Sequence, residues 1–523
     1  MRARTAVPLF LVLALPRSLP AQQPLPRDLD RYVADVLRTF EVPGVGLAIV
    51  KDGQVVLAKG YGVRKLGDPT PVDARTLFGI ASNTKAFTAT SLGLLVEEGK
   101  LEWDAPVIRY LPWFQMWDPW VTRQLTVRDL LVHRSGLGLG AGDLLWWPPT
   151  PLDRTEIARR LRFIEPATSF RTAYAYDNVL YTVAGEVIET VSGMSWEDFV
   201  SSRILAKVGM TGSNVMHSGA GLAGNVATPH ARIEGAVRPV APFLADNVNP
   251  AGGINAGAED MARWLIVQLD SGRLADGSRL FSQRTARELW SIVTPIPIGT
   301  PQPELRALRS SFNGYGLGLG IRDYRGEKIV THTGGLPGYV SRLTLVPDRK
   351  LGIMVLTNQE SGAAFEAITY RILDHYLGAP ATDWLAAFRT VNARFDSLTA
   401  AEEARTAAAR DTASRPSLAL SKYAGSYVDD WYGDVMLALE NGRLVMRFSH
   451  TPSLVGDLEH WQYDTFVVRW RDRELRADAF VTFSLDPDGS IAEAKMRAVS
   501  PATDFSFDFH DLLLKPKPAP RGR

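Results

Sequence analysis

The sequence predicts two folded units: an α+β unit with one antiparallel sheet flanked by helices, and after it a small all-β barrel. Three observations carry this expectation. Strand-like runs near the N-terminus and again beyond residue 315 bracket a region of helical periodicity. A stretch rich in Ala, Arg, Glu and Asp follows over 383–414, and about eight short β-like runs then fill 423–509. With 523 residues, 46% of them hydrophobic and 22% charged, the chain exceeds one ordinary domain and can bury a large core.

Met1-Arg-Ala-Arg4 precedes an apolar stretch from Ala6 to Leu15 and then Ser18-Leu-Pro-Ala21, the order of a secretory signal cut after Ala21. Pro8 and Pro16 oppose a buried helix, and the run is too short to span a bilayer. A periplasmic or secreted protein without stable membrane insertion is the expectation. The absence of cysteine removes disulfides, thiolate metal sites and a lipid-anchored cysteine. A formal net charge of +1 gives no electrostatic case for nucleic acid as a partner.

The segment 28–40 has apolar residues at helical spacing. The runs 45–50 and 54–59, joined by Asp52-Gly53, read as a β-hairpin with a tight turn. A helix is predicted over 82–98, stopped by Gly99, with further helical stretches at 126–132 and 179–191. The runs 315–322, 328–333, 339–346 and 351–357 read as strands completing the sheet of the first hairpin. The expected boundaries are a signal at 1–21, the α+β unit at 22–378, a linker with helical propensity at 379–417, the barrel at 418–514 and a disordered tail at 515–523. Such a linker implies few contacts, so a chain ending near Arg415 is expected to stay active on a small ester.

Three short motifs carry chemistry. In Ser82-Asn-Thr-Lys85, the three-residue spacing returns Lys85 to the face of Ser82 at the start of a helix. The helix dipole and burial both disfavour an ammonium there, so Lys85 can accept the serine proton. Taken alone, the motif equally describes a helix cap beside a solvated lysine. Tyr176-Asp-Asn178 stands just before the 179–191 helix: a phenol near a cation can ionise below its usual value of about 10, and the Asn178 amide offers a donor and an acceptor to substrate. His332-Thr333-Gly334-Gly335 ends a strand; its glycines let a substrate backbone approach, and the Gly335 amide can pair with that of Ser82 as an oxyanion hole.

The three motifs together, in this order, resemble the class C β-lactamase, D-Ala-D-Ala carboxypeptidase and penicillin-binding-protein family. Leu125-Thr-Val-Arg-Asp-Leu-Leu-Val-His-Arg-Ser-Gly-Leu137 and Pro250-Ala-Gly-Gly-Ile-Asn-Ala256 look like that family's phrases. The likeness covers about residues 28–378. It implies Ser82 as nucleophile, Lys85 and Tyr176 sharing proton transfer, and Asn178, His332, Thr333, Gly334 and Gly335 binding substrate. The segment from Tyr423 onward resembles the lipocalin-like domain often fused to such hydrolases. Penicillin-recognising members carry lysine where this chain has His332, which points toward esterase or peptidase branches.

The leading expectation is therefore a hydrolase forming an acyl-Ser82 intermediate from small esters, amides or D-amino-acid-containing peptides. A β-lactamase is the second reading, and a penicillin-binding receptor or ligand-binding protein without turnover is the reading of another class. No cofactor is expected, and no metal: the eight histidines lack paired ligand spacing. His133 reads as structural rather than catalytic. Trp146-Trp147 form either an apolar lip over the pocket or ordinary loop packing. Trp431-Tyr432 and His460-Trp461 either line a ligand cavity or fill the barrel.

Overall fold

The computed structural model describes residues 24–219 and 224–517, so the expected signal at 1–21 and the tail beyond Lys517 lie outside the described residues. One nine-stranded sheet organises the first unit. Its third strand, Gly44–Lys51, pairs antiparallel with Gln54–Lys65 on one side and Leu351–Thr357 on the other. The N-terminal hairpin is thus locked to a strand from the far end of the unit. Asp52 and Gly53 both have positive φ, 52° and 76°, as the two-residue turn requires.

Alternation along these strands explains why the helices lie on both faces. Val45, Leu47 and Ile49 join Ile353 and Val355 in a core shared with the helices Leu29–Phe40 and Gly362–Tyr376. Ala48, Val50, Met354 and Leu356 point into a larger core against the helix Ala258–Leu269. Strands buried on both faces read as continuous apolar runs, and these do. The helix Lys85–Glu97 runs through the larger core with eleven buried residues, apolar nearly all round.

Three expectations need correction. The run 315–322 is two strands, Asn313–Tyr315 and Gly320–Tyr324, because Gly318 turns the chain at φ 79°. A Cβ there would lie 2.7 Å from the Lys85 carbonyl oxygen, so the turn abuts the base of that helix. The helix expected at 126–132 is a single 3-10 turn, Arg128–Leu131. Within 379–417 lies a 25-residue helix, Trp384–Ala408, whose first turns are core. Trp384 is fully buried, donates to Asp374 at 2.8 Å and packs 5.0 Å from Tyr370. The Ala- and charge-rich composition hid these two apolar anchors, Trp384 and Phe388.

The second unit is a closed barrel of eight strands, from Gly425–Asp429 to Leu513–Pro516, each beside its chain neighbour. Closure comes from Tyr427 and Val428 pairing with Pro516 and Lys515, which places Lys515 and Pro516 in a strand, not in a tail. Closing the barrel removes exposed strand edges, which is the physical reason those last polar residues are ordered. Tyr432, Phe448, Trp470 and Phe509 are buried and pack ring against ring, so aromatic filling accounts for Tyr432. Trp461 sits instead beneath the Arg410 guanidinium at 4.8 Å.

Trp384→Ala leaves a large cavity and orphans the Asp374 bond, so it is expected to destabilise the first unit by about 3–5 kcal/mol. Urea unfolding read by tryptophan fluorescence and circular dichroism checks this; an unshifted midpoint would show that the helix is only a tether.

Candidate active site

Ser82 stands in a 3-10 turn, Ala81–Thr84, immediately before the buried helix. Ala81 adopts φ 50°, a left-handed conformation that a non-glycine residue holds only when its surroundings enforce it. They do so through Ile80, whose N–H donates to Ile254 at 2.9 Å and whose carbonyl accepts from Ser341 Oγ at 2.8 Å. The two middle residues of the motif are anchors: Asn83 Nδ2 donates to Ser341 at 2.8 Å, and Thr84 Oγ1 accepts from the Ile254 N–H at 3.2 Å.

Lys85 Nζ is fully buried and has three acceptors: Ser82 Oγ at 3.0 Å, Asn178 Oδ1 at 2.7 Å and the Ala251 carbonyl at 3.0 Å. Burial pushes its pKa down to about 7, while the charges of Asp143 and Asp177 resist a further fall. The Tyr176 ring lies 4.9 Å from Nζ. Its phenol is pushed well above the usual value, chiefly by burial, and only partly drawn back by Ser82. Burial therefore works against the ionisation that the sequence allowed for Tyr176.

Asn178, expected to hold substrate, has its amide engaged at both ends. Its oxygen accepts from Lys85 and its Nδ2 donates to Asp143 Oδ2 at 2.9 Å. His332 lines the cleft, but its ring is also engaged. Nε2 accepts from the Tyr315 hydroxyl at 2.7 Å, and Nδ1 faces the Thr333 carbonyl, which fixes the Nδ1–H tautomer. Burial, then the Lys85 charge, pushes its pKa down to about 3, so it is neutral at physiological pH. Thr333 and Gly335 are exposed on the strand Glu327–Leu336, and both line the cleft.

Sequence reasoning missed several residues. Asp143, fully buried, accepts from Trp146 Nε1 at 2.9 Å, from Asn178 and from Ser506 Oγ of the barrel at 2.8 Å. Burial raises its pKa to about 7, against the pull of those donors and of Lys85. His133 packs 4.3 Å from the Tyr176 ring and accepts the Asp177 N–H at 3.2 Å, which is a positioning part. Trp146 and Trp147 are indeed cleft walls. The cleft, of about 420 Å³, is also lined by Asp504, Phe505 and Ser506, so the barrel meets the site directly and the expected sparse contacts between units are not observed. The only local signal was a carboxylate, Asp143, set among the glycines 136, 138, 140 and 142.

A serine-bearing turn, a buried lysine and a glycine-lined strand around one cleft are the features of a serine hydrolase of the β-lactamase fold. The comparisons agree. The Beta-lactamase family profile matches residues 29–377, and the chain belongs to that family; a second profile, Domain of unknown function (DUF3471), matches 409–516. An unguisins hydrolase of Aspergillus violaceofuscus is 29% identical over 495 residues, 89% of this chain and 87% of that protein. Penicillin-binding protein 4 of Amycolatopsis lactamdurans is 29% identical over 351 residues, 65% of this chain and 87% of its own. The octameric penicillin-binding protein homologue from Pyrococcus abyssi superposes with TM-score 0.57 at 22% identity, over 93% of this chain and 99% of that one. The protein is thus a serine hydrolase with an antiparallel-sheet α+β unit and a closed C-terminal barrel.

The two motif glycines differ sharply in the room around them. A Cβ on Gly334 would lie 2.3 Å from the Ile80 carbonyl oxygen, whereas nothing stands within 4 Å of one on Gly335. Gly334→Ala must push the strand away from the Ser82 turn and is expected to lower kcat/KM by ~100-fold, with Gly335→Ala much milder. Equal losses in the two variants, measured on one ester, would contradict this geometry.

Proposed function

We propose that this hydrolase works by acyl transfer through Ser82 on small uncharged esters, amides or D-amino-acid-containing peptides, and that it is exported. The observation that carries the reading is Lys85 Nζ, 3.0 Å from Ser82 Oγ and poised to lose its proton near pH 7. Neutral Lys85 takes the serine proton as Oγ attacks the carbonyl carbon. The backbone amides of Ser82 and Gly335 receive the oxyanion. Tyr176, kept protonated, relays a proton to the departing alcohol or amine as the tetrahedral species collapses to the acyl-Ser82. Water, deprotonated by the same base, then attacks the ester carbonyl and frees Ser82. Export rests on the order of charged, apolar and small residues over 1–21.

Substrate class follows from what the cleft offers. β-Lactams and D-Ala-D-Ala peptides present a carboxylate, which calls for a fixed cation. Among the described residues lining this cleft there is no lysine or arginine, and His332 is neutral. Glu360 and Asp504 line it instead, and the nearby Arg476 of the barrel is already paired with Glu360. The β-lactamase reading is therefore second to an esterase or amidase.

Ser82→Ala is expected to abolish turnover and labelling by a serine-directed phosphonate without altering the circular dichroism spectrum. Labelling that persists in a folded Ser82→Ala protein would place the nucleophile elsewhere. For an uncharged ester, kcat/KM is expected to rise about tenfold per pH unit below ~7 and then level off as Lys85 deprotonates, with no further limb from His332. A matched pair of esters, with and without a carboxylate, is expected to show no preference for the carboxylate, and His332→Lys is expected to create one. A strong carboxylate preference in the unaltered enzyme at pH 8 would return the lead to the penicillin-directed reading.

A further inference from the structure

The connection between the last two barrel strands, Ile491–Ala498 and Leu513–Pro516, does more than join them. It reaches into the hydrolase cleft and grips the segment 138–146 at three points. Ser506 Oγ donates to Asp143 Oδ2 at 2.8 Å. Asp508 Oδ2 accepts the Gly142 N–H at 2.7 Å. Phe505 packs so closely that a Cβ on Gly140 would lie 2.8 Å from its carbonyl oxygen, while its ring meets Tyr176 edge-on at 6.1 Å. Gly140 in turn donates its N–H to the Tyr176 carbonyl at 2.9 Å. The segment is clamped between the barrel and the loop that carries Tyr176.

We propose that the barrel is part of the catalytic unit, and that Ser506 is a positioning residue for the base beside Ser82: Ser506 holds Asp143, Asp143 holds Asn178, and Asn178 holds Lys85. Every link is a direct hydrogen bond of 2.7–2.9 Å between buried side chains. Asn178 orients only one way in this chain. Its oxygen must face the lysine donor and its NH2 must face an acceptor, which is the carboxylate that Ser506 and Trp146 hold in place. Had Asp143 lost its acceptor role, the amide could rotate and withdraw its oxygen from Lys85.

The proton balance of this chain gives the test a sign. The groups facing Lys85 are Asp143, Asp177, Tyr176, Tyr181, His133 and His332, and those facing Asp143 are Asn178, Trp146, Ser506, Lys85, Tyr176 and, across Gly142, Asp508. The Ser506 hydroxyl favours the charged form of Asp143. Without it, Asp143 holds its proton to higher pH and offers the Lys85 ammonium less support. Lys85 then deprotonates at lower pH.

The inference rests on Lys85 as the base of the proposed reaction, and the experiment separates the two. kcat/KM against pH is measured on an uncharged ester for the full-length protein, Ser506→Ala, Ser506→Thr and the near-isosteric Asp143→Asn. Ser506→Ala is expected to move the acid limb down by about half a unit or more, with kcat reduced several-fold. Ser506→Thr, which keeps a hydroxyl, is expected to restore the original limb. Asp143→Asn is expected to move it in the same direction and further. A limb that stays in place in folded Ser506→Ala, whatever its rate, or in Asp143→Asn, overturns the inference. If the unaltered protein shows no acid limb near pH 7, the failure lies in the assignment of Lys85 instead.

Discussion

A lysine head group held away from water is the constraint on which the site depends. An ammonium in an apolar interior is costly, and this one is tolerated because three oxygens surround it and two carboxyl groups stand near. The helix that carries it is apolar nearly all round, so Lys85 enters the core at the one end where polar partners can be gathered. One partner, Ser82, lies in the adjoining turn, and two come from distant stretches: the asparagine before the helix Val179–Ser192 and the Ala251 carbonyl. The same burial that threatens stability lowers the pKa of Lys85, so packing and protonation have one origin.

Desolvation also decides how the neighbours divide their roles. Tyr176, Tyr181 and Tyr315 are all driven to hold their protons, and His133 and His332 are driven to lose theirs. What remains able to change charge near neutral pH is Lys85 with Asp143 and Asp177. Among the described residues, the cleft thereby has one cationic group, Lys85, beneath Ser82, while its walls stay uncharged or acidic.

Features that depend on local spacing were legible in the sequence. The strands 339–346 and 351–357, the Asp52-Gly53 turn and the barrel's strand count follow from short-range pattern, whereas the gathering of Ser82, Tyr176 and His332 around one cleft, with Lys85 beneath Ser82, was implied by the family resemblance of the motifs. Features that depend on distant partners were not. Nothing near Asp143 announces that Ser506, 363 positions away, will meet it. Nor does the motif Tyr-Asp-Asn reveal that its asparagine will serve the lysine before any substrate. The Gly-Leu-Gly-Leu-Gly run after Tyr315 alternates like a strand, and only the close approach to Lys85 shows why it must turn. Trp384 was masked by the alanines and charges around it.

The clamp on segment 138–146 also has a meaning in time. A chain made from its N-terminus presents Ser82, Lys85 and Asn178 long before Ser506 and Asp508 exist, and those two residues are held in place by a barrel that closes only when Leu513–Pro516 pairs with Gly425–Asp429. Ser82 is therefore synthesised early, and the contacts that brace its surroundings arrive late. Barrel closure acts as the final fastening of the active site, and a growing chain carries a serine centre that is not yet fully braced.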